Sequence, residues 1–381
     1  MTYLVYLNHY NIRQSKAQYL SVLYEVLGKG LNAHFILNED YLKKYKIEDR
    51  WEVKWTRNHW GDYDKVYGVL KPENYTVMRK PETFLSSKVP SIILSEAVNT
   101  YPQEEIKVIE EILSRKEIKA GVTWVNNKCF KRTLLNHGKM VFHHEMGPFR
   151  PTIYIPTIYL DFSGVNGDTE FNERFQEFLK VSNKVPILSK KELLKVLSPR
   201  HYPYLHQILD NKNREFEVGV GLQVEVDTNL LLFNHGYNWV DPILKAEAES
   251  TGKVLVRPHP AAGFSLKPID SRIVVDDPSK GKVQDFINKC DKIYCLNSSV
   301  GLEAILLGRK AEILGDSPFR SICNMDEETQ LKALNFAVFG YLIHRSLLFN
   351  NDYYTFRLNN IGNEKLIYLD NMKRLLEGIK E

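Results

Sequence analysis

The chain has 381 residues, 43% hydrophobic and 26% charged, an ordinary globular composition in a length too great for one hydrophobic core. A formal charge of +4 from 51 basic and 47 acidic residues excludes the concentrated basic stripe that nucleic acid demands, while permitting a peripheral approach to an anionic membrane. Four cysteines without C-x-x-C spacing exclude a zinc finger and fit a reduced, cytoplasmic setting, with Cys290 and Cys295 as buried thiols. The first residues lack the apolar core of a signal peptide, and no window approaches 18 uncharged apolar residues, so neither export nor a membrane span is expected.

In chain order, TYLVYLN opens a short buried strand, and a helical pattern over 14–27 closes on glycines. The runs at 33–37, 91–96 and 120–125 read as further strands, with a helix at 104–113 between the last two. Strand and helix alternate, as in a parallel α/β sheet. Residues 43–82, rich in Lys, Trp and Tyr, carry no clear pattern. Between 139 and 164 two strand-like runs flank a Gly-Pro turn, and helical patterns follow at 170–181, 189–197 and 204–212. A glycine-bearing segment then enters an expected strand at 230–233. The last third is the clearest: helix 239–251, strand 253–260, strand 272–277, helix 282–290, strand 292–297, helix 298–308 and strand 311–315. This βαβ series is Rossmann-like if its crossovers are right-handed. An amphipathic helix over 363–380 ends the chain. The expected fold is α/β: two Rossmann-like domains, 1–218 and 219–355, facing a ligand cleft, with residues 356–381 packing back as a C-terminal helix.

Five places can carry chemistry. In LNSSVGLEAILLG (296–308) a strand ends at Asn297 and Ser298 or Ser299 caps a helix, an arrangement suited to a phosphate. Gly301 there permits close backbone approach, and Glu303 is placed to accept hydrogen bonds from a ribose diol; an ordinary capped helix with a buried Glu reads the same way. In VLVRPHP (254–260) a strand delivers Arg257 and His259, either as cations for a leaving phosphate or as structural groups. HHEMGPFR (143–150) sets Glu145 before a Gly-Pro turn, as a general acid or base, and Arg150 beyond it, suited to pair with a substrate carboxylate. His143 and His144 point to opposite faces of an extended strand, which argues against a shared metal. In QVEVD (223–227), Gln223, Glu225 and Asp227 share a strand face, and such a carboxylate can attack an anomeric carbon. Asp62-Tyr63-Asp64 matches the metal-holding D-x-D pattern, lacks a strong strand before it, and is read as incidental.

These segments, in this order, resemble the retaining β-Kdo transferases of bacterial capsule and O-antigen assembly, KpsC-like or WbbB-like. The resemblance covers about 140–320: Glu145-Met146-Gly147-Pro148-Phe149-Arg150, Leu160-Asp161-Phe162-Ser163-Gly164, Gln223 to Asp227, His259-Pro260 and Ser298 to Ala304. It implies a GT-B-like glycosyltransferase that takes a CMP-Kdo donor and a bacterial glycan acceptor, with no metal and no other cofactor. By the same resemblance Asp227 is the nucleophile and Glu145 an essential acid. His259, Ser298 and Ser299 bind phosphate and Glu303 the ribose, while Arg150, Gln223, Arg257 and Asn297 complete the donor site. Met146 departs from the capsule enzymes, which have an acidic residue there. The His-Pro and Ser-Ser pair also occurs in bacterial sialyltransferases, so an inverting CMP-sialic acid transferase is the first rival. A nucleotide-sugar epimerase and a non-catalytic glycan-binding module are the others.

Overall fold

A computed structural model of the chain describes residues 2–7, 18–42, 70–78, 100–224, 227–260 and 271–377. It divides into two compact units that interleave along the sequence, so a single cut after 218 describes them only in part. One comprises Met1–Glu145, Leu160–Val165 and Leu347–Asn359, the other Met146–Tyr159, Asn166–Ser346 and Asn360–Glu381. The expected strand at 91–96 and the motif at 62–64 lie outside the described residues.

In the first unit, strands β1 (Thr2–Tyr6), β2 (Ala33–Leu37), β3 (Tyr75–Val77), β4 (Ile118–Trp124) and β5 (Val141–Met146) lie in the order β3-β2-β1-β4-β5. The pairings are parallel throughout. β2 is buried at every position and β1 and β4 at nearly every one, the unbroken apolar run of a parallel sheet covered on both faces. Helices α1 (Gln18–Gly28), α2 (Gln103–Arg115) and α3 (Lys128–Asn136) connect the strands. Ile109 and Ile112 of α2 and Phe130 and Leu134 of α3, spaced three or four apart, pack with Leu4, Ile36 and Val141.

The second unit centres on a five-stranded sheet of β7 (Phe216–Gly221), β8 (Val254–Arg257), β9 (Ile273–Val275), β10 (Cys290–Cys295) and β11 (Lys310–Ile313). Its order is β11-β10-β7-β8-β9, again parallel throughout. Both sheets thus place their first strand centrally, next to their fourth, as in Rossmann-like folds. Residues 157–159 of β6 (Thr157–Asp161) pair antiparallel with β12 (Leu342–His344). Around these lie α4 (Phe171–Leu179), α5 (Lys190–Leu197), α6 (Tyr202–Asp210), α7 (Thr228–Phe233), α8 (Asp241–Glu249), α9 (Val283–Asn288), α10 (Val300–Leu306), α11 (Glu327–Asn335) and α13 (Glu364–Leu376); α12 (Asn351–Asn359) belongs to the first unit. All residues of α10 are buried, as its nearly unbroken apolar sequence requires.

Three expectations are corrected. Residues 230–233 form a helix, α7, not a strand: Leu230 and Phe233 are buried while Leu231 is exposed, a helical rather than an alternating pattern. Asp227 starts this helix, its side chain accepting from the Asn229 amide at 2.8 Å. The strand expected through 223–227 therefore stops earlier, β7 ending at Gly221; Glu225 lies outside the described residues. β8 likewise stops at Arg257, since Pro258 and Pro260 have no amide to donate to a ladder.

Candidate active site

In the second unit the chain runs from β7 outward to β8 and β9, then returns to the other side of β7 for β10 and β11. The reversal falls between β7 and β10, and the crevice beyond the C-terminal strand ends at such a point is where open α/β sheets bind ligands. Gln223 follows β7 there and Asn297 follows β10. The Gln223 amide donates to Asn297 Oδ1 at 2.8 Å, and the Asn297 backbone donates to Gln223 Oε1 at 3.0 Å. Asn297 Nδ2 also donates to the carbonyls of Asn229 and Phe233, each at 3.1 Å. These bonds tie α7 to the strand edge and bring Asp227, two residues before Asn229, beside it. The Asp227 carboxylate is exposed.

Ser298 and Ser299 follow, both half-buried. Ser298 Oγ accepts from the Val300 amide at 3.3 Å, and Ser299 occupies the cap position without a side-chain cap bond. Gly301 permits the close approach expected of it, and what approaches is the sheet. A Cβ there would lie 2.7 Å from Ile313 Cγ1 and 3.2 Å from Cys295 Sγ, so the missing side chain lets α10 sit against the sheet rather than admitting a ligand. A Cβ on Gly221 would lie 2.9 Å from Val300, so the same economy seats the start of α10 over the end of β7.

His259 is exposed just past β8, behind the buried Pro258. β8 and β10 flank β7, so the strand ends that deliver His259 and Ser298 share one edge, roughly 10 Å apart across the sheet. Arg257, by contrast, is buried, ion-paired with Asp276, and donates to the Gly281 carbonyl at 2.6 Å. Its charge is spent on holding the β9–α9 loop.

Glu303 is buried in α10, and Gln284 of α9 donates to its Oε2 at 2.7 Å. Burial lifts this carboxyl to about 7, against the opposing pull of Gln284, Tyr154 and the Arg150 guanidinium. Tyr154 is itself buried beside the carboxylate. A tight turn brings the 147–154 segment in. A Cβ on Gly147 would lie 2.3 Å from Thr157 Oγ1, and Thr157 exchanges hydrogen bonds with Gly147 and Phe149. Arg150 is exposed and donates to the Gly147 carbonyl at 3.0 Å. The sequence singled out Glu303 and Arg150 but not Gln284 and Tyr154, which stand beside Glu303. Gln284 had a signal, a polar residue in the apolar rhythm of VQDFI; Tyr154 had none.

Glu145 lies half-buried near the end of β5 in the first unit. Its neighbours have structural surroundings: His144 shares a 2.7 Å hydrogen bond with the Tyr354 hydroxyl, and burial depresses His143 to about 3, aided by the charges of Lys131 and His144. Asp161 is buried, its Oδ1 accepting from the Ser163 and Gly164 amides at 2.6 and 3.0 Å, so the L-D-x-x-G element closes a turn. Among the described residues no group of three His, Cys, Asp or Glu side chains is placed to hold a metal.

Known proteins can be set beside this geometry. Residues 5–170 match the glycosyltransferase 99 family N-terminal domain, and residues 197–331 match the capsule polysaccharide biosynthesis protein family. No curated protein matches in sequence. Solved structures that are similar include two KpsC domains of Thermosulfurimonas dismutans. The β-Kdo 2,7 transferase is 15% identical over 86% of this chain and 99% of its own, with a TM-score of 0.44. The β-Kdo 2,4 transferase is 13% identical over 64% and 90%, with a TM-score of 0.39. A UDP-GlcNAc 2-epimerase of Methanocaldococcus jannaschii is 13% identical over 88% and 91%, with a TM-score of 0.30. Structural likenesses this loose fix neither fold nor chemistry, and the weight rests on the two family matches. The two matches fall one after the other along the chain, on segments similar to a glycosyltransferase 99 N-terminal domain and to a capsule polysaccharide biosynthesis protein, in keeping with the glycosyltransferase resemblance carried by its motifs.

Proposed function

We propose that the chain transfers Kdo from CMP-Kdo to a bacterial surface-glycan acceptor, with retention, through a covalent sugar adduct on Asp227. One observation carries the reading: Gln223, His259 and the 297–303 segment emerge at one edge of a parallel sheet, from three adjacent strands at its switch point. That edge suits a nucleotide monophosphate. His259, Ser298 and Ser299 would hold the phosphate and Glu303 the ribose, while Arg150 would pair with the carboxylate of the sugar. Gln223 and Asn297 would shape the site through the bonds they make to each other, and Arg257 would support it from beneath.

The chemistry follows from the donor. A carboxylate oxygen of Asp227 bonds to the ketosidic carbon as the bond to the phosphate oxygen breaks, and the electron pair leaves with CMP. The acceptor hydroxyl then attacks from the vacated face, Asp227 departs as a carboxylate, and two inversions give net retention. The hydroxyl proton goes to a base, the part left to Glu145. A monophosphate leaving group offers no pyrophosphate to clamp, so a histidine and two hydroxyls suffice without a metal. Working on a cytoplasmic CMP-sugar, the protein is placed in the cytoplasm or peripherally at the inner membrane. Among the described residues no helix is long and apolar enough to cross a membrane.

Intact-mass spectrometry after incubation with CMP-Kdo tests this. One added Kdo per chain, absent from Asp227→Ala, is the expected result, together with activity that survives EDTA. Turnover of CMP-sialic acid with inversion, and no adduct, would replace the reading with its first rival.

A further inference from the structure

Tyr154 is 5% exposed, and its hydroxyl closes no well-formed hydrogen bond among the described residues. A buried hydroxyl left open is rare enough in a native chain to ask for a reason. Its surroundings supply one. The hydroxyl lies beside the Glu303 carboxylate, whose Oε2 is already fixed by Gln284. The ring has its own support, packed edge-on against Phe149 with centroids 5.2 Å apart. Packing therefore explains the ring, while the oxygen makes only a loose approach to Glu303 and Gln284. Nearby, the Tyr204 hydroxyl donates to Asp285 Oδ1 at 2.6 Å, so the neighbouring phenol is satisfied where Tyr154 is not.

We propose that Tyr154, with Gln284 as a positioning residue, selects the ribose of the donor nucleotide by gripping its 2′,3′-diol together with Glu303. This rests on the CMP-sugar reading above. The Glu303 oxygen that Gln284 does not hold accepts from one hydroxyl of the diol, while the Tyr154 hydroxyl turns to donate to the other. Gln284 keeps the carboxylate turned toward the pair. Such a set is satisfied only when both sugar hydroxyls are present, because a deoxy-nucleotide leaves buried polar groups open.

The test is calorimetric titration of the full chain with CMP and with 2′,3′-dideoxy-CMP, for the wild type and for Tyr154→Phe. The substitution keeps the ring and its Phe149 contact. CMP should bind about tenfold more weakly to the variant, while dideoxy-CMP, already weak on the wild type, should bind both alike. The donor KM should rise with kcat little changed. Gln284→Leu should show the same selective loss, which guards against a misfolded Tyr154 variant. Unchanged CMP affinity in Tyr154→Phe, or equal losses for both nucleotides, would overturn the role of Tyr154 and leave the donor assignment standing. A wild type that binds no cytidine nucleotide would overturn the donor assignment and this inference with it.

Discussion

Each unit buries one glutamate beside a tyrosine and a side-chain amide, and the two trios differ in one respect. In the first unit Glu105 accepts from Asn127 Nδ2 at 3.3 Å, and Tyr6 closes on the same carboxyl. In the second, Glu303 accepts from Gln284, but Tyr154 approaches the carboxylate only loosely, without a well-formed bond. Burial raises both carboxyls. Two sheets of the same strand order thus carry one trio closed by its tyrosine and one whose tyrosine hydroxyl closes no well-formed bond. Sheet order alone does not say which half binds, and the donor site is proposed for the second.

The largest effect that would break this contrast belongs to Asp227. If the second unit holds the reacting centre, Asp227→Asn should lower transfer by on the order of a thousandfold or more, with CMP affinity retained in titration. A variant that still transfers would remove the reason to treat the two trios as functionally different.

Next comes pH. Glu303 titrates at about 7 when folded, against an ordinary value of 4.5, so between those pH values the unfolded chain releases a proton that the folded chain keeps. This group's stabilising share is therefore full below about pH 4.5 and is lost as pH rises to 7. Glu303→Gln removes that slope and should gain about 3 kcal/mol over the wild type at pH 8 and little at pH 4.5, read by urea unfolding. It should also weaken CMP binding. Glu105→Gln should move stability in the same direction without touching nucleotide affinity.

The first unit bends the other limb of the pH curve. His143 is held near 3 by burial, against an ordinary 6.5. As pH falls below 6.5 the unfolded chain takes up a proton that the folded chain refuses, and stability drops. At pH 5 this histidine's share of the loss is about 2 kcal/mol, and His143→Leu should flatten it, as unfolding at pH 7 and pH 5 would record.

How much of this was legible beforehand depends on range. The strands of the second sheet and the 297–303 segment could be read because β-rhythm, prolines and a helix start are local signals. The helix at 230–233 could not, because three leucines and a phenylalanine suit either period until Asp227 is seen as its cap. Gly301 was recognised as a place of close approach, but only the fold says that what approaches is Ile313. Tyr154 was invisible for the same reason: its neighbour Glu303 is nearly 150 positions away in the chain.

The smallest effect separates the two duties of Asp227. Its carboxylate caps α7 through the Asn229 amide, and it is also the proposed nucleophile. Loss of a cap costs about 1 kcal/mol, and asparagine caps as well as aspartate. Asp227→Ala should therefore lower unfolding stability by that amount, while Asp227→Asn keeps it; both should abolish the Kdo adduct. Because α7 is tied at Asn229 and Phe233 to Asn297, a frayed cap would also loosen the strand edge where the nucleotide is proposed to sit. Asp227→Ala, but not Asp227→Asn, should thus show a slight fall in CMP affinity. Equal affinity in both variants would mean that the Asn297 bonds hold the edge without help from the cap.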